Sequence, residues 1–406
     1  MTASVESLST LLAGRAAGFR PSPVRDFWEV SMRPDVISLA GGNPDLSVLP
    51  LAELSEVAAR AIATDGLDVL QYGSGVGTEG ARNAVAATMA AEGMSVDPGQ
   101  VQITAGSQMA LDLVVKLLCD PGDVILAEGP TYVGAIGLFA GMQVDVVHVA
   151  TDADGLRPDD LAETIDRVRR SGRTVKALYT IPNFNNPSGV TLSAERRPDV
   201  VRICREAGVS ILEDNPYGLL SFDGTSMPSL RDLDPDNVIY LGSFSKVVAP
   251  GLRVGWAIAP EPLRRPLQLA SEATTICASV LSQRVVEEYV HRHDWRAVLD
   301  TARSLYGGRA DALLAALAAT APEDVSWSVP RGGFFTWLTL PEGVDVHAVL
   351  DAAIDARTVF VPGTAFYADG SGRDRLRLAF SLEDEATLVE GAERLTTAIR
   401  RISGRD

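Results

Sequence analysis

Between residues 101 and 260 the chain alternates two patterns. Short apolar runs, rich in β-branched residues, recur as VQIT (101–104), VILAE (124–128), VDVVHV (144–149), VKALYTI (175–181), VSILE (209–213), NVIYL (237–241) and VGWAIA (254–259). Stretches with helical spacing lie between most of them, at 107–118, 131–140, 158–171, 193–207 and 228–233. Runs without polar alternation predict strands covered on both faces. Strands alternating with helices predict a layered α/β domain with a mostly parallel sheet. Little room for a crossover helix separates NVIYL from VGWAIA, so a hairpin-like antiparallel strand is expected there.

The flanks read differently. VISLAGGNP (36–44) is a short strand that meets a glycine turn, and helices are expected at about 51–66 and 78–92, on either side of the loop LQYGSGVG. Residues 262–315 look helical and long. After them VSWSVPRGGFFTWLTLP (325–341), TVFVPG (358–363) and RLRLAFS (375–381) read as strands, with helices at 345–356 and 384–402. The expected organisation is an N-terminal segment, 1–44, packing with a small domain and the active site; a large domain, 45–290; and a smaller α+β domain, 291–406.

Composition narrows the function classes. Apolar residues are 46% of the chain, enough for a sizeable core, and the net charge of −17 opposes non-specific nucleic-acid binding. No window approaches the apolar length of a membrane span, and the start has no basic region followed by a sustained apolar core. The three cysteines (Cys119, Cys204, Cys277) lie far apart, which suits free thiols in a reducing, cytoplasmic setting. His291 and His293 are two residues apart with no ligand cluster around them, so no metal site is expected.

Of the 36 lysines and arginines only three are lysines: Lys116, Lys176 and Lys246. The first sits in LDLVVKLL, where a helix turns it to solvent; the second opens a strand. Lys246 lies in YLGSFSKVVAPGLRVGW, with small hydroxyls before it and Arg253 seven residues after. Such a lysine suits covalent attachment to a carbonyl cofactor beside a phosphate site, although S-x-S-K alone also fits a surface loop. TAGSQMAL (104–111) ends a strand and opens a helix, which makes either a plain helix cap or a phosphate cradle. In ILEDNPY (211–217) an acidic residue closes an apolar strand, and a buried carboxylate needs a partner. IPNFNNPSG (181–189) is turn chemistry at a strand end, where ligands bind in α/β folds.

Taken jointly, in this order and spacing, these motifs resemble class I/II, fold-type-I pyridoxal-phosphate aminotransferases over nearly the whole chain. The similarity is greatest to the subgroup of 2-aminoadipate and kynurenine aminotransferases. The resemblance implies a three-layer α/β/α large domain with a smaller α+β domain, pyridoxal 5'-phosphate as cofactor, and amino-acid and 2-oxo-acid substrates. It makes Lys246 the cofactor lysine and the catalytic acid and base. It assigns Gly106, Ser107, Gln108, Ser243, Ser245 and Arg253 to the phosphate, and Tyr132 to ring stacking. Asn186 and Tyr217 go to the phenolic oxygen, and Asp214, with Glu213 its neighbour, to the pyridine nitrogen. Tyr72 matches a tyrosine that reaches the phosphate of the neighbouring subunit, which implies a homodimer with a shared site. Arg377 matches the arginine that grips the substrate carboxylate, with Arg375 two residues away on the same strand face. Gly42 and Asn183 are expected to add carboxylate contacts, and Arg25 or Arg20 to meet distal substrate groups. Phe19, Leu46, Phe184 and Tyr132 are candidates for the side-chain pocket. NPSG departs mildly from the usual N-P-T-G.

The activity implied is transamination by two half-reactions, with 2-oxoglutarate the expected acceptor. An alternative keeps the cofactor but replaces, decarboxylates or oxidises a non-protein amino acid. A regulator built on the same fold would need a DNA-binding domain, and the stretch before the first motif is short and not basic.

Overall fold

The computed structural model describes residues 11–19, 28–31 and 33–405. Fourteen strands are named here in chain order: β1 Ile37–Ser38, β2 Val101–Thr104, β3 Val124–Gly129, β4 Asp145–Asp152, β5 Gly155–Leu156, β6 Val175–Thr180, β7 Ser210–Asp214, β8 Val238–Ser243, β9 Gly255–Ile258, β10 Ser326–Trp327, β11 Phe335–Thr339, β12 Thr358–Val359, β13 Val361–Pro362 and β14 Arg375–Ala379. The seven apolar runs each become a strand within a few residues of the expected ends.

Eight strands form one sheet in the order β2-β9-β8-β7-β6-β3-β4-β5. From β8 to β4 the neighbours are parallel. The antiparallel strand expected after the lysine loop is β9. It returns beside β8 and also pairs antiparallel with β2, so it is inserted between them. Every residue of β2, β8 and β9 is buried. Near the sheet margin β4 is half-exposed, and the two-residue β5 completes a hairpin with it. That pairing was not legible, because two residues carry no periodicity. The parallel strands β3, β6, β7 and β8 end along one edge, at Gly129, Thr180, Asp214 and Ser243, which delivers the loops EGPTY, IPNFNNPSG, DNPY and SFSK to the same place.

A second, antiparallel sheet has the order β10-β11-β14-β13. Within it Arg377 lies opposite Trp337 on one side and Val361 on the other. β1 pairs with β12, and the Ala379 N–H donates to the Leu39 carbonyl, so the N-terminal strand joins this C-terminal layer. The long helical stretch after 260 is three helices, Glu261–Thr275, Val280–Arg292 and Trp295–Thr320. The first break falls at Ile276, whose φ of 66° leaves the helical region, and Ser279 caps the next helix. Among the described residues no helix is long and apolar enough to cross a membrane, and no cluster of His, Cys, Asp and Glu has metal-binding arrangement.

Candidate active site

A cavity of about 380 Å³ opens at the carboxyl edge of the large sheet, with β14 and the Gly42 segment across from it. Its wall includes Ser107, Gln108, Tyr132, Asn186, Asp214 and Tyr217, then Ser243, Ser245, Lys246 and Arg253, and finally Gly42 and Arg377.

Lys246 sits in the turn that follows β8. Its Nζ donates to the Gly42 carbonyl at 3.1 Å and lies 5.7 Å from the centre of the Phe334 ring. Burial, then the nearby charges of Arg377 and Arg253, lower its pKa to about 8. The other two lysines behave as ordinary surface residues. Lys116 pairs with Asp112 at 2.5 Å and Lys176 with Asp123 at 3.3 Å.

Between β2 and the helix Ser107–Leu118 stands Gly106, with φ of 90°. That helix has no side-chain cap, so its first N–H groups face the cavity end unshielded. A Cβ on Gly106 would fall on the Arg253 guanidinium, so the glycine contributes by leaving room and does not itself line the cavity. Arg253 Nη2 donates to the Ala105 carbonyl at 3.0 Å and Nη1 to Ser245 Oγ at 3.4 Å. Ser243 Oγ donates to Ser245 Oγ at 2.8 Å. An uncapped helix start, two hydroxyls and a guanidinium make an anion site.

Asp214 ends β7. Its Oδ2 accepts from the Tyr179 hydroxyl at 2.7 Å, while Oδ1 is buried with no partner. Burial pushes its pKa up to about 6. Glu213, one residue earlier, is turned to the other face. It accepts from Ser229 Oγ at 2.7 Å and from the N–H groups of Leu230 and Arg231 at 3.0 and 2.9 Å. Strand alternation therefore selects Asp214 for the cavity. A buried oxygen with an unused lone pair needs a donor, and a protonated pyridine nitrogen is such a donor. The residues present thus fit pyridoxal phosphate: an anion cradle, an amine and an orphaned carboxylate oxygen around one cavity.

The walls between these poles are aromatic. Tyr132 precedes the helix Val133–Gly141, and Gln108 Nε2 donates to the Gly134 carbonyl at 3.1 Å, which ties the two walls together. The Tyr217 ring meets Phe334 edge-on at 5.4 Å. A Cβ on Gly42 would collide with the Phe335 ring, which accounts for the glycine in LAGGNP.

Arg377 is 3% exposed and lies between the rings of Phe335 and Phe366, whose centres are 4.2 and 5.0 Å from its Cζ. Nη1 donates to Asn186 Oδ1 at 2.8 Å, Nη2 donates to the Ala40 carbonyl, and Nε has no partner. Burial lowers its pKa to about 10. Arg375, at the start of the strand, instead donates to Asp374 at 3.2 Å and to the Thr339 hydroxyl. The choice between the two arginines thus falls on Arg377.

Several expectations need correction. Asn183 does not line the cavity: its Nδ2 donates to Asn215 at 3.0 Å and its Oδ1 accepts from Arg197 at 2.6 Å, which ties the amide to residues outside the cavity wall. Phe184 is buried against Gly332 and Gly333, and Leu46 is 41% exposed, so neither is a pocket wall. Phe19 lines a second cavity of about 1150 Å³, which shares Gln108, Val133, Gly134 and Arg253 with the first. Tyr72 is 74% exposed and lies away from the cavity of its own chain. Arg20 and Arg25 lie outside the described residues. Sequence reasoning missed Tyr179, Phe335, Phe366 and the Ala40 carbonyl. Only the pair in GGFF gave any signal, because the others act through tertiary contacts.

The family model for aminotransferase class I and II matches residues 34–395. The chain is 36% identical to the 2-aminoadipate transaminase of Thermus thermophilus, over 95% of this chain and 96% of that one. It is 34% identical to aromatic-amino-acid aminotransferase 1 of Thermococcus litoralis, over 95% and 93%. A crystal structure of Pyrococcus horikoshii kynurenine aminotransferase in complex with PMP superposes with a TM-score of 0.92 at 33% identity, covering 97% of this chain and 98% of that one.

Proposed function

The chain belongs to the class I and II aminotransferases, and from that premise we propose which of its residues carry the reaction and which substrates it takes. It is a pyridoxal-phosphate enzyme that moves an amino group from an amino acid to a 2-oxo acid. When bound, the cofactor supplies a carbonyl for the amine and an electron sink for the bond broken at Cα.

The observation that carries the assignment is one cavity bounded by a lysine amine of lowered pKa and a buried, unpartnered Asp214 oxygen. Lys246 holds the cofactor and, once released, takes the proton from the substrate Cα and passes it on as general acid. Asp214 keeps the ring nitrogen protonated. Ser243, Ser245, Arg253 and the helix start at Ser107 hold the phosphate. Tyr132 would cover one face of the ring, while Tyr217 and the amide nitrogen of Asn186 would serve its phenolic oxygen. Arg377 orients the substrate by its α-carboxylate, with bidentate geometry that suits that task.

For substrates, the proposal is a bulky, largely apolar donor with 2-oxoglutarate as acceptor. Val133, Ile181, Pro216 and Phe335 supply apolar wall beside the polar groups, and the adjoining cavity gives the donor side chain space. The assembly proposed is a homodimer in which Tyr72 completes the neighbour's site. In support, Leu67, Leu70 and Tyr72 form an exposed apolar stretch at 94%, 66% and 74%. A cytoplasmic location and the division 1–44, 45–290 and 291–406 complete the proposal. Free thiols support the first, and the separate sheets support the second.

The test is a pair of single-turnover reactions. Each amino acid of a panel is mixed with cofactor-loaded enzyme, and the cofactor absorbance and the 2-oxo acid formed are both measured. One 2-oxo acid per site, and recovery of the absorbance on adding 2-oxoglutarate, are expected. Mixing K246A with Y72A protein should restore part of the activity if the site is shared. No recovery, with each variant folded, would count against the shared site.

A further inference from the structure

Arg377 enters the cavity from the small sheet, whereas the residues facing it hang from the large one, so the two must be held in register. Glu128, next to the last residue of β3, is 3% exposed and outside the cavity wall. Its Oε2 accepts from the Ile181 N–H and from Asn185 Nδ2, both at 2.8 Å. These two donors stand at the base of the turn that carries Asn186. The turn holds one non-glycine residue in the left-handed region, Phe184 at φ 49°. On its far side Asn185 Oδ1 accepts from the Ser188 N–H at 3.2 Å and from Ser188 Oγ at 3.1 Å. Asn185 is therefore occupied by Glu128 and by its own turn. Its neighbour Asn186 faces the cavity and meets Arg377.

The same strand end reaches the other side of the guanidinium. The Thr131 N–H donates to the Phe366 carbonyl at 3.0 Å, and the Phe366 ring lies against Arg377. The Glu128 carbonyl accepts from His148 Nδ1 at 2.9 Å, and His148 Nε2 accepts from the Ala368 N–H at 2.9 Å. The end of β3 thus braces Arg377 from both sides, with a side chain on one and the backbone on the other. Burial pushes the pKa of the Glu128 carboxyl up to about 7, and Oε2 can accept whether or not the group is ionised; a buried donor left without an acceptor is costly.

We propose that Glu128 is a positioning residue for the substrate-carboxylate clasp: through Asn185 it fixes the Asn186 turn and with it the Arg377 guanidinium. The proposal rests on the reading of Arg377 given above. Cofactor-loaded E128A, E128Q, N185A and R377A proteins are compared with wild type. The readouts are the calorimetric Kd of an unreactive monocarboxylate, KM and kcat for the amino donor, the cofactor absorbance and Tm. E128A should raise Kd and KM by roughly 10-fold or more, the scale of one lost buried hydrogen-bond acceptor, with the cofactor absorbance unchanged. N185A should behave alike. E128Q keeps one oxygen able to accept both donors and should stay within about 3-fold of wild type on the same scale. A lowered Tm with unchanged Kd in E128A, or in N185A if E128A does not fold, would overturn the proposal. So would an E128Q protein as impaired as E128A. If R377A weakens carboxylate binding while E128A does not, only this inference fails. If R377A leaves that binding intact, the reading of Arg377 falls and the proposal with it.

Discussion

Nη1 of Arg377 donates to Oδ1 of Asn186 at 2.8 Å, although the two residues belong to different sheets and stand 191 positions apart. The arginine read as the substrate clasp and the asparagine read as a ring contact are therefore one hydrogen-bonded pair. Asn186 has one end for each task, since its oxygen meets the guanidinium and its amide nitrogen lies on the side of Tyr217.

The first prediction concerns that pair. R377A should raise KM for both substrates by about 30-fold or more, the scale of a buried charge left without its partner. R377K should not rescue it, because an ammonium cannot reproduce a fork held between two rings. N186A should raise KM less but also shift the cofactor absorbance, because it loses both contacts. Steady-state kinetics with a spectrum of each variant check this, and full activity in R377K would refute the fork argument.

Lys246 gives a second prediction. Its pKa is lowered to about 8 by burial and by two arginines, from 10.5 for a free amine. The unprotonated amine is the nucleophile, so reactivity should rise with pH and level off above about 8. Competitive acetylation of cofactor-free protein between pH 6 and 11, read by mass spectrometry, measures this directly, because only two other lysines compete. A midpoint above 10 would mean that the cavity does not desolvate the amine. K246A should lose turnover by a factor of at least about 10³.

Asp214 supplies a third, with a definite sign. Burial raises its folded pKa to about 6 from 3.8, so between those values the folded protein binds more protons than the unfolded one. Its contribution to stability falls as pH rises through that window, to a deficit on the order of 3 kcal/mol above it. Cofactor-free D214N protein should therefore be more stable than wild type at pH 8, and the advantage should vanish near pH 4. Cofactor should restore the order by giving the wild-type carboxylate its missing charge. Thermal unfolding at the two pH values, with and without cofactor, decides it.

Much of this site was legible because its residues sit where strands end. Apolar runs located the strands, and a mostly parallel sheet brings alternate loops to one edge. Motifs far apart in sequence thus had a common destination. Alternation along β7 separated Asp214 from Glu213 in the structure, but sequence alone could not say which face the cavity lay on. Asn183 misled for a related reason. An amide at a strand end looks like a ligand residue, yet both its ends are taken by Asn215 and Arg197, partners 32 and 14 residues away. The insertion of β9 between β2 and β8 was equally hidden, since pattern gives a strand its direction but not its neighbours.

The last prediction follows from counting cations. Among the described residues the cavity has three, Lys246, Arg253 and Arg377. Each is already assigned: to the cofactor carbonyl, to its phosphate and to the substrate α-carboxylate. A dicarboxylate such as 2-oxoglutarate has a second charge to place, and a buried unpaired carboxylate is costly. An apolar donor has no such need. A dicarboxylate acceptor therefore requires a cation that an apolar donor does not, and Arg25 and Arg20, both upstream of the Gly42 segment, are the candidates. R25A or R20A should lower kcat/KM for glutamate and 2-oxoglutarate by roughly 10-fold or more, the loss of one charge pair, and leave aromatic or aliphatic donors nearly unchanged. Parallel kinetics with glutamate and with phenylalanine or leucine separate the two effects. If dicarboxylate activity survives in both variants, these arginines lose the role, and the charge comes from Arg173 of the adjoining cavity or from the second subunit, which R173A and the mixed-variant experiment separate.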